Sequence, residues 1–248
     1  MAAAGLHALY PFSDLQVHGL VEVIRHLPRL YGMLHELEAW LDRERPDGVL
    51  LIDYPGFNLK GAAAAKSRGI PVGWYSSPQI WAWRGGRLRT IARVVDKIIV
   101  LFPFERKIYQ DAGVAAEFLG HPLVGLEASA AVVEQLRSKL NLCAGRPIVG
   151  VMPGSRPSEL RRNLPPVLAG IRRIVESGYE ANWVLPVAAS LDRAEIETLV
   201  RAAGVPVQVA EGAFLPLLKL AHLAIVASGT ATLQVGMAQI PFLVVYRV

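Results

Sequence analysis

The chain has 248 residues, 52% hydrophobic and 19% charged, with a formal net charge of +5 and one cysteine, Cys143. This composition excludes global disorder and leaves room for one large or two modest cores, while the lone cysteine excludes an intramolecular disulfide and argues against a cysteine metal cluster. The basic balance suits an anionic partner, but charge alone does not choose among nucleic acid, an anionic membrane and a phosphorylated substrate.

The first residues, MAAAGLHALYPFSD, carry neither the basic region nor the apolar run of a signal peptide. From Leu15 to Leu41 apolar residues recur at close to the helical period, with a break expected around Pro28. His18, Glu22 and His26 share a face of that helix, but no further strong ligand accompanies them, so a solvated polar face is expected rather than zinc. A short apolar strand, Gly48 to Ile52, follows and ends at Asp53. The next expected elements are a helix over Leu59–Ser67, a strand over Pro71–Tyr75, the aromatic loop Ser76–Trp83, a basic helix from Arg87 to Arg93 and a strand over Lys97–Phe102. A helix opens at Pro103, and a short strand over Glu117–Gly120 closes this first alternation.

Residues 122–145 read as a connector with one helix, Ala128 to Leu140. A second alternation begins at Ile148. It contains strands over Ile148–Met152, Ala181–Pro186, Val205–Val209, Leu223–Ala227 and Pro241–Tyr246. Helices are expected from Ser158, over Leu164–Ser177, Leu191–Ala203, Phe214–Lys219 and Thr230–Met237. Alternating strands and helices predict an α/β fold of two Rossmann-like domains, 1–145 and 146–248. Leu223–Tyr246 has no charged residue and is long enough to span a bilayer, but its Ser, Gly, Thr, Gln and Pro residues parse better as strand, loop, helix and strand. Val248 falls at the end of a strand and the first residues contain none, so both domains are expected to be incomplete.

Ligands of open α/β sheets bind at the carboxyl ends of the strands. Four clusters fall there. In the first, Asp53 is a candidate general base and Asn58 a candidate substrate contact; for Asp53 a helix cap or loop carboxylate is the plainer alternative. The second holds Ser77, Trp81, Trp83 and Arg84, an aromatic wall with a cation, or else packing under a loop. In the third, Gly154, Ser155, Arg156 and Glu159 join a buried strand to a helix start. Free N–H groups, the helix dipole and a guanidinium suit a phosphate there, against an ordinary β-α turn. The fourth, Ser228, Gly229, Thr230 and Gln234, repeats that arrangement, and two such loops in one domain can hold a diphosphate and its ribose. No P-loop, GxGxxG or GxSxG occurs, so nucleophilic serine catalysis has no support. The basic run Arg84, Arg87, Arg89 and Arg93 lacks the aromatic interleaving of an RNA binder, so no nucleic-acid partner is expected.

The segments LIDYPGFN, SSPQIWAWRGGRLRTIARVVDKIIVLFPFE, FLGHPLV, MPGSRPSE and ASGTATLQ resemble, in order, those of lipid-A-disaccharide synthase, a glycosyltransferase of the GT-B type. The likeness runs from about Leu15 to the last residue. It implies transfer of 2,3-diacylglucosamine from UDP to the 6-hydroxyl of 2,3-diacylglucosamine 1-phosphate, with inversion and with no metal or cofactor. It also implies work on the cytoplasmic face of the inner membrane of Gram-negative bacteria, as a peripheral protein. Asp53 matches the family's proposed base and Arg156 the arginine of its GSR loop. Gly56 stands where the family has a second Asp, and Gln234 where it has Glu. The family's N-terminal glycine-rich loop and C-terminal helices are not matched, so the chain is expected to be an interior piece. Another GT-B sugar-nucleotide enzyme, a UDP-sugar epimerase and a non-catalytic UDP-sugar or membrane-binding module remain open at this point, as does the oligomeric state.

Overall fold

The computed structural model describes residues 20–76, 78, 80 and 86–247, with side chains from residue 28 onward. The candidate residues Ser77, Trp81, Trp83 and Arg84, and the polar face of His18, Glu22 and His26, lie outside what is described. The chain divides into two compact units at His121/Pro122.

The first unit opens with helix α1 (Leu20–Glu44). Its backbone runs on through Pro28, so the expected break is not there; one proline removes a single hydrogen bond from a helix held by its packing face. Strands β1 (Val49–Ile52), β2 (Val72–Tyr75), β3 (Lys97–Val100) and β4 (Ala115–Phe118) form a parallel sheet in sequential order, connected by α2 (Pro55–Ser67), α3 (Arg87–Val94) and α4 (Pro103–Asp111). Helix α2 starts four residues earlier than its hydrophobic pattern indicated, because Pro55 supplies a preset helical φ at its first position. Gly61, Ala62, Ala64 and Ala65 are its buried residues, and a Cβ on Gly61 would meet Leu37 of α1 at 3.2 Å. The small residues therefore let α1 and α2 approach closely. Trp74, Ile98, Tyr109 and Leu41 are fully buried in the core they enclose.

In the second unit α5 (Ala130–Lys139) precedes β5 (Ile148–Met152). There follow α6 (Pro157–Glu176), β6 (Asn182–Val187), α7 (Arg193–Ala203), β7 (Val207–Glu211), α8 (Phe214–Leu220), β8 (Leu223–Ala227), α9 (Thr230–Met237) and β9 (Phe242–Val245). The strands are parallel in the order β7-β6-β5-β8-β9. Counted from β5 this is the 3-2-1-4-5 order of a Rossmann sheet, and it reverses between β5 and β8. Every residue of β5 is buried. Ile148 and Met152 face the core under α5, α8 and α9, while Val149 and Val151 face the core under α6 and α7. A strand covered on both faces reads as an unbroken apolar run, which is why IVGVM does not alternate.

Two expectations change here. Residues 122–145 belong with the second unit rather than the first. Leu136 and Leu140 are buried against α8, and Asn182 at the start of β6 ties down the segment after α5. Its amide accepts from the Cys143 N–H at 2.9 Å and donates to the Cys143 and Arg146 carbonyls at 3.0 and 3.2 Å. Helix α6 is one element, not a helix opening at Ser158 and a separate one from Leu164. Leu160, Leu164, Val167, Leu168 and Ile171 keep one face buried straight past Pro165 and Pro166.

Candidate functional site

The reversal between β5 and β8 puts their two following loops side by side at the carboxyl ends of the strands. A cleft of 440 Å³ opens there, lined by Met152, Gly154, Ser155, Arg156, Glu159, Pro186, Val187, Ala188, Phe214, Ala227, Ser228, Gly229, Thr230, Ala231, Gln234 and Tyr246. Its size falls within the roughly 300–1,000 Å³ of small-molecule sites. All eight candidate residues of the second unit line it.

The loop after β5 is built around Gly154. Its φ of +133° suits glycine, and a Cβ there would lie 2.6 Å from the Glu159 Cβ. The loop can therefore lie against the first turn of α6 only while residue 154 has no side chain. Glu159 closes the arrangement: its Oε2 accepts from the Ser155 N–H at 3.1 Å and its Oε1 from Arg156 Nη1 at 3.2 Å. Ser190, after β6, donates from its Oγ to the Ser155 carbonyl at 2.6 Å. The two donors expected to meet a phosphate thus share the Glu159 carboxylate. The Arg156 side chain is nonetheless 65% exposed.

The loop after β8 is different. Helix α9 has no side-chain cap at Gly229 and no acidic residue in its first turn. Thr232 folds back by both its N–H and its hydroxyl onto the Gly229 carbonyl. Gly229, Thr230 and Ala231 line the cleft, so this helix start brings uncapped backbone donors and the positive end of its dipole to the cavity wall. Of the two loops expected to cradle an anion, one is braced by its own carboxylate and the other is open.

Sequence reasoning missed two contributors. Phe214, at the start of α8, and Tyr246, just past β9, give the cleft its aromatic surface. Behind the wall, Asn163 of α6 is 3% exposed; its Nδ2 donates to the Pro153 carbonyl at 2.9 Å and its Oδ1 accepts from the Arg247 N–H at 3.0 Å. It ties the loop after β5 to the chain leaving β9. Its signal was a polar residue set into the apolar stripe Leu160, Leu164, Val167.

In the first unit Asp53 follows β1 and is exposed. Among the described residues its carboxylate has no hydrogen-bond or ion-pair partner. It does not cap α2, whose N-cap is Tyr54 without a side-chain bond, so the helix-cap alternative falls. Asn58, expected to contact substrate, instead directs its amide at the backbone of the turn: Nδ2 donates to the Ile52 and Asp53 carbonyls at 3.0 and 2.6 Å. No helix among the described residues is long and apolar enough to cross a membrane. The uncharged stretch 223–246 forms β8, α9 and β9.

Comparison with known proteins agrees with this geometry. The family model described as lipid-A-disaccharide synthetase matches residues 1–248. Curated relatives named lipid-A-disaccharide synthase include those of Anaeromyxobacter dehalogenans strain 2CP-C, 43% identical over 98% of this chain, and Myxococcus xanthus strain DK1622, 38% identical over all of it. The chain spans 64% and 65% of the length of these two relatives. Among solved structures, the UDP-GlcNAc 2-epimerase of Neisseria meningitidis bound to UDP-GlcNAc superposes with a TM-score of 0.65 at 13% identity, covering 98% of this chain and 70% of that one. The S. aureus MnaA–UDP structure gives 0.65 at 12% identity, over 92% and 64% of the two chains. At such identities the structural likeness establishes the fold, two Rossmann-like units of the GT-B kind. The sequence matches carry the assignment further: the chain belongs to the lipid-A-disaccharide synthetase family.

Proposed function

We propose that the protein catalyses the reaction for which its relatives are named, joining 2,3-diacylglucosamine from its UDP donor to the 6-hydroxyl of 2,3-diacylglucosamine 1-phosphate. The second-unit cleft takes the UDP portion of the donor. The open start of α9 and the Arg156 guanidinium meet the diphosphate, and Gln234 meets the ribose. In the transfer, the acceptor 6-hydroxyl oxygen attacks the anomeric carbon and its proton passes to the Asp53 carboxylate. The bond from that carbon to the diphosphate oxygen breaks, and the configuration inverts. Negative charge grows on the departing UDP, where fixed donors stabilise it best. The observation that carries this reading is the convergence of both glycine loops, with their arginine, on one cleft at the reversal of the sheet.

The two solved neighbours with UDP or a UDP-sugar support a nucleotide in such a cleft without choosing the reaction. The test is turnover by the protein at the length of its relatives. Incubation with both diacylated substrates yields disaccharide 1-phosphate and UDP, read by mass spectrometry. Conversion of UDP-GlcNAc to its 2-epimer, with no disaccharide, would replace this reading by the epimerase one.

We further propose peripheral association with the cytoplasmic face of the inner membrane. Arg89 and Arg93 are exposed on α3, on the side away from its buried Ile91, while Arg87 lies one turn before Ile91 and is half-buried, so the basic surface rests on Arg89 and Arg93. Flotation with anionic vesicles should weaken as salt rises; resistance to high salt and alkaline carbonate would contradict a peripheral mode.

A further inference from the structure

The turn that carries Asp53 is conformationally unfavourable, and one side chain accounts for it. Asp53 and Tyr54 are consecutive non-glycine residues in the left-handed region, with φ of +49° and +41°. Either would be uncommon alone. Tyr54 also precedes Pro55, a position that normally favours extended backbone. Nothing in the local sequence relieves this, since Gly56 falls inside α2. The hold comes from Asn58. Its Nδ2 donates to the Ile52 carbonyl at 3.0 Å and to the Asp53 carbonyl at 2.6 Å, and its backbone N–H donates to the Tyr54 carbonyl at 3.1 Å. Three consecutive carbonyls, those of residues 52, 53 and 54, are thus gathered by one residue a turn into α2.

We infer that Asn58 is a positioning residue: by clamping the left-handed turn it fixes where the end of β1 presents the Asp53 carboxylate, and it is not a substrate contact. Both hydrogens of its amide are engaged, so only Oδ1 is left for any other partner. The carboxylate it positions makes no bond of its own among the described residues, so the backbone under it is what sets its direction. Unusual backbone of this kind persists only where surrounding groups over-determine it, and it concentrates where a reacting group must be held in place.

This inference rests on Asp53 being the base, and the experiment separates the two. In the full-length enzyme, kcat, KM for the UDP donor and melting temperature are measured for wild type, Asp53→Asn, Asn58→Ala, Asn58→Asp, the Asp53→Asn/Asn58→Ala pair and the Tyr54→Gly/Asn58→Ala pair. Asn58→Ala should lower kcat on the order of 10²-fold, the effect of a misplaced group, with KM within about twofold of wild type. Asn58→Asp keeps the shape and Oδ1 but removes both donors, and should behave the same way. In the Asp53→Asn background Asn58→Ala should cost nothing more, because its effect runs through the missing carboxylate. Tyr54→Gly removes a Cβ from the left-handed turn. With Asn58→Ala it should restore the melting temperature but not the rate, and this pair carries the test if Asn58→Ala alone does not fold. Wild-type kcat in either Asn58 variant, additive losses in the Asp53 pair, or a rate that returns together with stability would overturn the inference. Wild-type rate in Asp53→Asn would overturn the base assignment itself.

Discussion

Replacing Gly154 by alanine tests whether the loop after β5 is the built wall of a binding cleft. The backbone there has φ +133°, and the added Cβ would stand 2.6 Å from the Glu159 Cβ and 2.9 Å from its Oε2. Neither atom can simply swing aside. The Cβ is fixed to α6, and Oε2 is the acceptor for the Ser155 N–H. Forcing a non-glycine residue into such backbone costs about 1–3 kcal/mol, and overpacking costs about as much again, so the variant should lose about 2–6 kcal/mol of stability. The displaced carboxylate also releases Ser155 and Arg156, so affinity for UDP should fall along with stability. The matched control is Gly170→Ala in the same helix. Its new Cβ meets nothing within 4 Å, and alanine inside a helix should add roughly 0.5–1 kcal/mol. Calorimetric melting followed by UDP titration of both variants reads the contrast. A Gly154→Ala protein that melts with wild type and binds UDP unchanged would show that the loop does not lie against α6 as described.

Two further variants probe the supports of the two units. Asn163→Ala removes the donor to the buried Pro153 carbonyl and should cost about 1–3 kcal/mol in urea melting; no loss would mean that the tie to Arg247 and Pro153 is not made. In the first unit, the Asp96 carboxyl pairs with Lys66 and accepts from the Val72 N–H, and both hold its pKa below the ordinary carboxylate value. A depressed folded pKa gives stability that is present above the unfolded value of about 3.9 and is lost as pH falls through the folded one. Both side chains of the pair are over a third exposed, so Asp96→Asn should cost only about 1 kcal/mol or less near neutral pH, and the difference from wild type should vanish in acid. A gap that persists at low pH would refute the charge-based account.

Much of this fold was legible because parallel strands buried on both faces leave plain apolar runs. Ile148–Met152 and Leu223–Ala227 need no partner information to be seen. The two loops of the cleft were legible for the same reason, since glycine and hydroxyl residues between a strand and a helix mark a turn wherever they fall. What bound those loops to one site was the order of the strands, and no local pattern carries it. The boundary at residue 121 was hidden because the amphipathic helix 130–139 does not declare which core it joins; Leu136 and Leu140 meet α8 only in three dimensions. The backbone contacts of Asn58 and Glu159 were not legible for a related reason. A polar residue near a loop has the same sequence signature whether it faces a ligand or its own backbone, and here both turn to backbone groups. Phe214 and Tyr246 reach the cleft from elements distant in sequence from either glycine loop.

The central claim, that the second unit's cleft is a uridine diphosphate site, is tested most directly by titrating UDP into this chain and into its Arg156→Ala variant by calorimetry. The account predicts one site per chain and a loss of roughly 1.5–3 kcal/mol in the variant, the worth of a charged hydrogen bond to the diphosphate. No heat of binding from the wild-type chain, or equal affinity in the two proteins, would contradict it.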